Sequence, residues 1–273
     1  MFLGDGIKVG KLFGIELRLD LSWFFLATLS VWFFQSTFVK IASSNYLSIS
    51  WLFGIIAAAL FFASLLIHEL SHSLVGKKFG IPFKRITLFI FGGCVEMEEG
   101  YKLSAKSEFW MTLAGPLSSF VLAGLFFVLR ILPGTISPFW SNLLACLFVI
   151  NLFMGIFNLL PGFPMDGGRI LRSLFWWKTG NLLRATQIAY WVGFATCLAL
   201  FISSFWNVAG SPLWIGFIVF VFIIPVAGRE YKKIATSSGR SGRAIEATSL
   251  LGISILLLPF LILSEIIKFV KNR

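Results

Sequence analysis

The chain has 273 residues, of which 58% are hydrophobic, 17% are aromatic and 13% are charged. Soluble domains carry about 25% charged residues, so this composition excludes an ordinary soluble protein and indicates a multi-span membrane protein. The formal net charge of +11 does not indicate nucleic-acid binding, because the cations lie in short connections between apolar runs. We therefore expect the lipid bilayer as a partner and no nucleic acid.

The chain begins with the polar segment "GDGIKVGKLFGIELRLD", which has neither the apolar run nor the cleavage pattern of a secretory signal peptide. Apolar and polar residues alternate in it and glycines break it, which predicts short strands on the cytoplasmic surface. An apolar run at 21–39 follows, and its length is that of a membrane-spanning helix.

The second apolar run, at 51–75, contains the sequence "HELSH". His68 and His72 are four residues apart and therefore share one face of a helix, where both imidazoles can bind one ion. Two imidazoles and a carboxylate suit Zn²⁺ and leave a fourth position for water. In the H-E-x-x-H pattern the residue at Glu69 faces that water and serves as general base. The pattern predicts one zinc ion per chain.

The alternative interpretation is that the histidines are ordinary packed side chains. They are, however, the two histidines of the whole chain, and both fall within one helical turn of an apolar span. Insertion scales give a charged residue at the centre of such a span a cost of roughly 2.5–3.5 kcal/mol. A bound metal would compensate these polar groups, so the sequence favours metal binding.

The segment "RITLFIFGGCVEMEEG" follows. Its apolar part is too short to cross a bilayer, and the glycine pair predicts a hairpin that dips into the membrane edge. Such a hairpin could pair with an unwound substrate strand, which makes Gly92 and Gly93 candidate substrate-binding residues. It could equally serve only to shield the site, and the sequence leaves both roles open.

Further apolar runs lie at 107–132 and 141–163, and the second of them leads into "NLLPGFPMDGGRILRSL". Asp166 is the one acidic residue between Glu108 and Glu230. Loop charges place it on the cytoplasmic side, with the two histidines, so it is predicted as the third metal ligand. The alternative is that it only caps the helix that follows.

The bend before Asp166 supplies the remaining candidate substrate-binding residues. Pro161 and Pro164 disrupt helix there, and irregular backbone at membrane depth is tolerated only where it is buried or lines a cavity. Asn158 lies one turn before the bend. It either contacts the substrate backbone or forms a plain helix–helix hydrogen bond.

Three more apolar runs lie at 186–206, 212–228 and 248–267. With the N-terminus in the cytoplasm, the first six runs satisfy the positive-inside rule at every loop. The seventh either crosses the membrane or lies at its interface. The predicted fold class is therefore an all-α polytopic membrane protein with six core transmembrane helices and short membrane-associated β-strands.

The quoted motifs resemble those of the site-2 protease family of intramembrane zinc metalloproteases (peptidase family M50). "HELSHSLVGKKFGIPFKRITLFIFGGCVEMEEG" resembles the first catalytic helix and its loop, "EFWMTLAGPLSS" the helix with the Ala-Gly-Pro motif, and "NLLPGFPMDGGRILRSL" the second catalytic motif. The resemblance implies His68, His72 and Asp166 as zinc ligands and Glu69 as the catalytic acid/base. It also implies cleavage of a single-span membrane protein within or near its transmembrane helix.

The chain departs from the family in several places. Where the family often has Asn after Ala-Gly-Pro, this chain has Ser118 and Ser119, which puts a polar role there in doubt. The most similar branch usually carries nucleotide-sensing CBS modules, and none is recognisable here. We expect a protease domain at 1–233, a flexible basic linker at 234–247 and a hydrophobic helix at 248–273, in a cell membrane, with the site opening to the cytoplasm.

Two rival functions remain. The same three ligands could form a transit site in a metal transporter, but the outer loops carry almost no charge and offer no polar path across the bilayer. A catalytically silent relative would normally have lost a ligand or the base, and all four residues are present.

Overall fold

The computed structural model describes residues 6–41, 48–89, 92–98, 101, 103–132, 137–163, 165–205, 228 and 236. The predicted span at 248–267 lies outside these residues. Of the predicted span at 212–228 and the predicted linker at 234–247, only residues 228 and 236 are described. Internal contacts divide the chain into two compact units, residues 1–158 and 159–273.

Four long helices form most of the first unit, and each is long and apolar enough to cross a membrane. They are α1 (Leu21–Ile41), α2 (Ser50–Lys78), α3 (Ala105–Ile131) and α4 (Pro138–Asn158). Many of their large apolar side chains are exposed, Val121 and Phe153 among them, as expected where lipid covers the surface. The first four predicted spans are therefore confirmed as helices, although α4 ends at Asn158 rather than at 163.

Both predicted strand segments form strands, and together they build one sheet. Its strands are β1 (Ile7–Leu12), β2 (Ile15–Leu19), β3 (Phe83–Phe89) and β4 (Gly92–Met97), in the order β1-β2-β3-β4. The central pair β2–β3 is parallel and the outer pairs are antiparallel. The predicted hairpin is the β3–β4 pair, and β4 lies at one edge of the sheet.

Asp20 joins the sheet to the first helix. Its backbone N–H donates to the Leu88 carbonyl of β3 at 2.9 Å, and its carboxylate accepts from the backbone N–H and hydroxyl of Ser22 in the first turn of α1. An aspartate in this position satisfies donors that a helix N-terminus otherwise leaves unpaired.

Two apolar clusters stabilise the first unit. One packs the sheet onto α2 and α3, and its buried members include Ile15, Leu65 and Ile86. The other lies around stacked aromatic rings of α1, α2 and α4: the Phe38 and Phe53 ring centroids are 4.1 Å apart, and Phe139 meets both edge-on.

The second unit contains a bend after α4, then α5 (Asp166–Thr179) and α6 (Leu182–Phe205). Phe163 of the bend packs with Leu183 and Tyr190 of α6 in a small core. Helix α5 ends at Gly180, whose φ of +67° suits glycine. The described residues thus contain six helices, mostly long and apolar, and one small sheet. The predicted run at 186–206 is helical, although α6 is not among the four candidate spans.

Candidate metal centre

The two histidines lie on one face of α2, as their spacing predicts. Their ring centroids are 4.9 Å apart and the rings stand nearly perpendicular, at 83°. His68 is buried at 3% exposure and His72 is partly buried. The sequence prediction that one helical turn brings both imidazoles together is confirmed.

Helix α3 binds one nitrogen of each ring. The His72 Nδ1 atom is 2.8 Å from the Met111 carbonyl oxygen, and the His68 Nδ1 atom is 2.8 Å from the Ser119 hydroxyl. A carbonyl can only accept, so the His72 Nδ1 atom carries the hydrogen and donates. In metal-binding histidines such a bond fixes the tautomer and the ring orientation.

The other nitrogens of the two rings lie against Gly115, midway between these contacts on α3. A methyl group on Gly115 would lie 2.2 Å from the His72 Nε2 atom and 2.7 Å from the His68 Nε2 atom. No side chain fits there, which gives the glycine of the Ala-Gly-Pro motif a steric role. Both Nε2 atoms therefore lie next to the α3 backbone at Gly115, where no side chain stands between them and the helix.

Glu69 contacts the sheet. A methyl group on Gly93 of β4 would lie 2.4 Å from the Glu69 Cγ atom and 2.7 Å from its Oε1 atom. The β4 backbone therefore packs directly against the glutamate next to the first histidine. This is a contact between one predicted substrate-binding residue and the predicted acid/base.

Asp166 is the first residue of α5 and is buried at 9% exposure. The N-cap position is Met165, and it makes no side-chain capping bond. Asp166 is therefore the first residue inside the helix and does not occupy the N-cap position that the alternative interpretation gives it. A carboxylate in the first turn is favoured by the helix dipole.

The glycines after Asp166 allow the bend to fold back onto the start of α5. A methyl group on Gly167 would lie 2.3 Å from the carbonyl oxygens of Leu159 and Leu160, and one on Gly168 would lie 2.4 Å from the Gly162 carbonyl carbon. Backbone atoms cannot move aside as flexible side chains can, so both positions require glycine.

The remaining predicted substrate-binding residues have local contacts. The Asn158 amide donates to the Met154 carbonyl of its own helix at 2.9 Å, and the Pro161 carbonyl accepts from the Thr196 hydroxyl at 3.2 Å. Pro164 lies outside the described residues, and Gly92 has a φ of +127° at the start of β4. Their role toward a substrate stays a prediction.

Sequence reasoning missed three parts of the site: the Ser119 hydroxyl, the Met111 carbonyl and the packing surface at Gly115. Every residue has a backbone carbonyl, so the residue type does not reveal which carbonyl binds a histidine. Ser119 was discounted because it departs from the family pattern, yet its hydroxyl contacts His68. The available sequence signal was the four-residue spacing of these positions, which places them on one face of α3.

A model of "Peptidase family M50" matches residues 56–138 and 134–200, which together cover more than half of the chain. The chain belongs to peptidase family M50, the site-2 protease family. The match includes the histidine pair, the Ala-Gly-Pro helix and Asp166. The resemblance of the motifs is thereby confirmed.

Two relatives carry the name "Putative zinc metalloprotease". The protein sll0528 of Synechocystis sp. is 39% identical over 198 residues, which are 70% of this chain and 50% of that protein. Rip3 of Mycobacterium tuberculosis is 33% identical over 240 residues, 85% of this chain and 60% of that protein. The M50 chain thus spans 50% and 60% of the length of these relatives.

A solved structure has the same fold. The chain titled "Site-2 Protease from Methanocaldococcus jannaschii" is 27% identical, with a TM-score of 0.54, and the match covers 82% of this chain and 94% of that one. The M50 chain is therefore similar in fold to a known site-2 protease over most of its length.

Zinc is the ion that the family and the donor set indicate. His68, His72 and Asp166 offer two imidazoles and a carboxylate, a set that zinc binds in catalytic sites with three protein ligands. The Nδ1 contacts from α3 fit the same ion, because they leave the Nε2 atoms for the metal. The residues present therefore fit the metal that the family implies.

Proposed function

We propose that the chain is a zinc-dependent intramembrane endopeptidase in which His68, His72 and Asp166 hold one zinc ion and Glu69 is the acid/base. Its substrate would be a single-span membrane protein, cut within or near its transmembrane helix. The protease domain comprises residues 1–233, with six core transmembrane helices, and residues 234–273 form a linker and a hydrophobic helix. The N-terminus and the site opening face the cytoplasm.

The observation that carries the proposal is the arrangement of the histidine pair. Both Nε2 atoms lie beside Gly115, and α3 holds both Nδ1 atoms. A pair of packed structural histidines has no need for such an arrangement, whereas a metal site does. Asp166 supports it as the buried carboxylate of the second catalytic motif.

A zinc ion held there supplies Lewis acidity, which polarises a peptide carbonyl and lowers the pKa of a water molecule to about 7. Glu69 accepts the proton from that water and passes it to the leaving nitrogen. The packing of Gly93 against the Glu69 side chain limits the positions that the carboxylate can take and so keeps it oriented for these transfers.

The substrate must unwind before it is cut, because the carbonyls of a helix are engaged in hydrogen bonds. We propose that the unwound segment lies along the edge strand β4, at Gly92 and Gly93, and near Asn158, Pro161 and Pro164. The edge position of β4 supports this, because an edge strand presents backbone groups that an extended peptide can pair with. Shielding of the site is the alternative role of the hairpin.

The proposal is tested with purified protein and a single-span substrate in the same proteoliposomes. Glu69→Gln should retain one zinc per chain and lose cleavage. Ser71→Ala is the matched control, because the Ser71 hydroxyl donates to the Ile67 carbonyl of its own helix. It should cleave like the wild type. Robust cleavage by the Glu69→Gln variant would remove Glu69 from its assigned role.

A further inference from the structure

Three residues of α3 at four-residue intervals face the histidine pair. Met111, Gly115 and Ser119 share one stripe of the helix because positions four apart lie one above the other. Ser119 is fully buried, at 0% exposure. The stripe therefore meets α2 as one continuous contact surface.

Each end of this stripe makes a hydrogen bond with the Nδ1 atom of one ring. Met111 contacts the His72 Nδ1 atom and Ser119 contacts the His68 Nδ1 atom, both at 2.8 Å. Between them, Gly115 lies within close contact of both Nε2 atoms. One contact uses a backbone carbonyl that every residue type provides. The other depends on the hydroxyl of one side chain.

We propose that Ser119 is a positioning residue for the metal ligand His68. Its hydroxyl oxygen accepts the Nδ1 hydrogen of His68, which places the lone pair of that ring on the Nε2 atom. The proposal rests on the proposed function, because a positioning role presupposes that His68 binds metal. It adds a side chain outside the H-E-x-x-H and Asp-Gly motifs to the machinery of the site.

The chemical reason is the choice between the two neutral forms of an imidazole. A neutral ring with its hydrogen on Nδ1 offers Nε2 to a metal, and the opposite form does not. The Met111 carbonyl enforces the first form at His72, since it cannot donate. A hydroxyl can donate or accept, so Ser119 favours the first form at His68 only when it acts as the acceptor. Removing the hydroxyl removes the acceptor that favours the first form at His68.

The experiment measures the zinc affinity of the metal-free full-length protein by competition with a chromophoric chelator. Ser119→Ala should bind zinc about 10- to 100-fold more weakly, the usual loss when the partner of a ligating histidine is removed. Ser118→Ala is the matched control, since the Ser118 hydroxyl donates to the Gly115 carbonyl. It should bind zinc like the wild type. Ser119→Asn, which keeps an acceptor, should recover most of the affinity.

A second pair of variants covers the case in which the alanine variant does not fold. Ser119→Thr and Ser119→Val have nearly the same shape and differ in the hydroxyl. Crowding affects both equally, whereas the proposal predicts that only the threonine variant keeps strong zinc binding.

Equal zinc affinity of the wild type, Ser119→Ala and Ser118→Ala would overturn the positioning role and leave the proposed function standing. Equal affinity of the threonine and valine variants would have the same meaning. A wild-type protein that binds no zinc would instead overturn the proposed function, so the two failures are distinguishable.

Discussion

The histidine region and the aspartate region prepare their ligands by different physical means. His68 and His72 lie on a regular helix, and the Nδ1 atom of each ring is hydrogen-bonded to a group of α3. Asp166 begins a short helix after an irregular bend, and its N-cap Met165 makes no side-chain capping bond. Backbone atoms of the bend also pack closely against Gly167 and Gly168.

This difference shows which kind of change each region tolerates. In the histidine region, the geometry depends on helix–helix packing and on two hydrogen bonds, so a small change there should reduce zinc affinity. In the aspartate region, the geometry depends on the path of the backbone, so a small change should alter the local fold before it alters the chemistry.

The largest effect is expected at the contact between α3 and the histidines. In Gly115→Ala the new methyl group would overlap both rings, so we expect loss of zinc binding and of activity, by about 100-fold or more. Gly124→Ala on the same helix is the control, because no atom of the described residues lies within 4 Å of the added group. Zinc titration and substrate cleavage measure both variants. Tight zinc binding by Gly115→Ala would contradict the packing described for this helix pair.

The corresponding change in the aspartate region is Gly167→Ala, whose methyl group would meet two backbone carbonyls. We expect activity to be lost together with protection of the α5 backbone in hydrogen exchange, while α2 and α3 stay protected. Gly180→Ala is the control. Its added methyl group meets no neighbour in the part of the chain that the structure describes, but Gly180 has a φ of +67°, so the substitution should cost about 1–2 kcal/mol of stability and retain activity. If the Gly167→Ala protein were inactive but hydrogen exchange in α5 were unchanged, the claim that the backbone path sets the geometry at Asp166 would be wrong.

An intermediate effect is expected from Gly93→Ala, because the atoms nearest to the new methyl group all belong to the Glu69 side chain, which would have to move. A displacement of about 1 Å at a catalytic group costs about 100-fold in rate, so kcat should fall while zinc affinity stays at the wild-type value. Gly10→Ala in β1 serves as the strand control, because its added methyl group has no neighbour within 4 Å among the described residues. Should Gly93→Ala weaken zinc binding as strongly as kcat, the hairpin would be acting on the ligands rather than on Glu69.

The smallest effect concerns Glu16 in strand β2. The hydrogen bond from Arg18 lowers the pKa of Glu16 from its ordinary value, with the Arg18 Nε atom 2.6 Å from the carboxylate. Such a carboxylate stabilises the fold above the ordinary glutamate pKa, and this contribution is lost as the pH falls through the lowered pKa. Glu16→Gln should therefore lower Tm slightly at neutral pH, and the difference from the wild type should shrink in acid. If the Tm difference between the two proteins grew in acid, the predicted direction of the pH dependence would be wrong. Activity should not change.

Periodicity and residue chemistry were enough to predict the first four helical spans, the strands and the position of the two histidines on one helix face. The i, i+4 spacing alone places His68 and His72 on one face, and the glycine pair alone marks the β3–β4 hairpin. These features depend on local sequence, so reading the sequence was sufficient for them.

The parts that sequence could not supply depend on contacts between distant segments. The pairing of β2 with β3 joins residues that are separated by two long helices, and the Met111 carbonyl is the same chemical group in every residue. The end of α4 at Asn158 was predicted too late, because the apolar run continues into the bend and hides the boundary. Ser119 was discounted because it departs from the family pattern, and its contact with His68 on another helix is visible only in the structure.

The central claim is that two imidazoles and the Asp166 carboxylate hold one zinc ion. X-ray absorption at the zinc edge, on the purified full-length protein with one zinc per chain, tests it directly. We expect two imidazole nitrogens and oxygen ligands at about 2.0–2.1 Å, and a changed spectrum with weaker zinc binding in Asp166→Ala. A sulfur ligand at about 2.3 Å, or an Asp166→Ala spectrum identical to that of the wild type, would contradict the account.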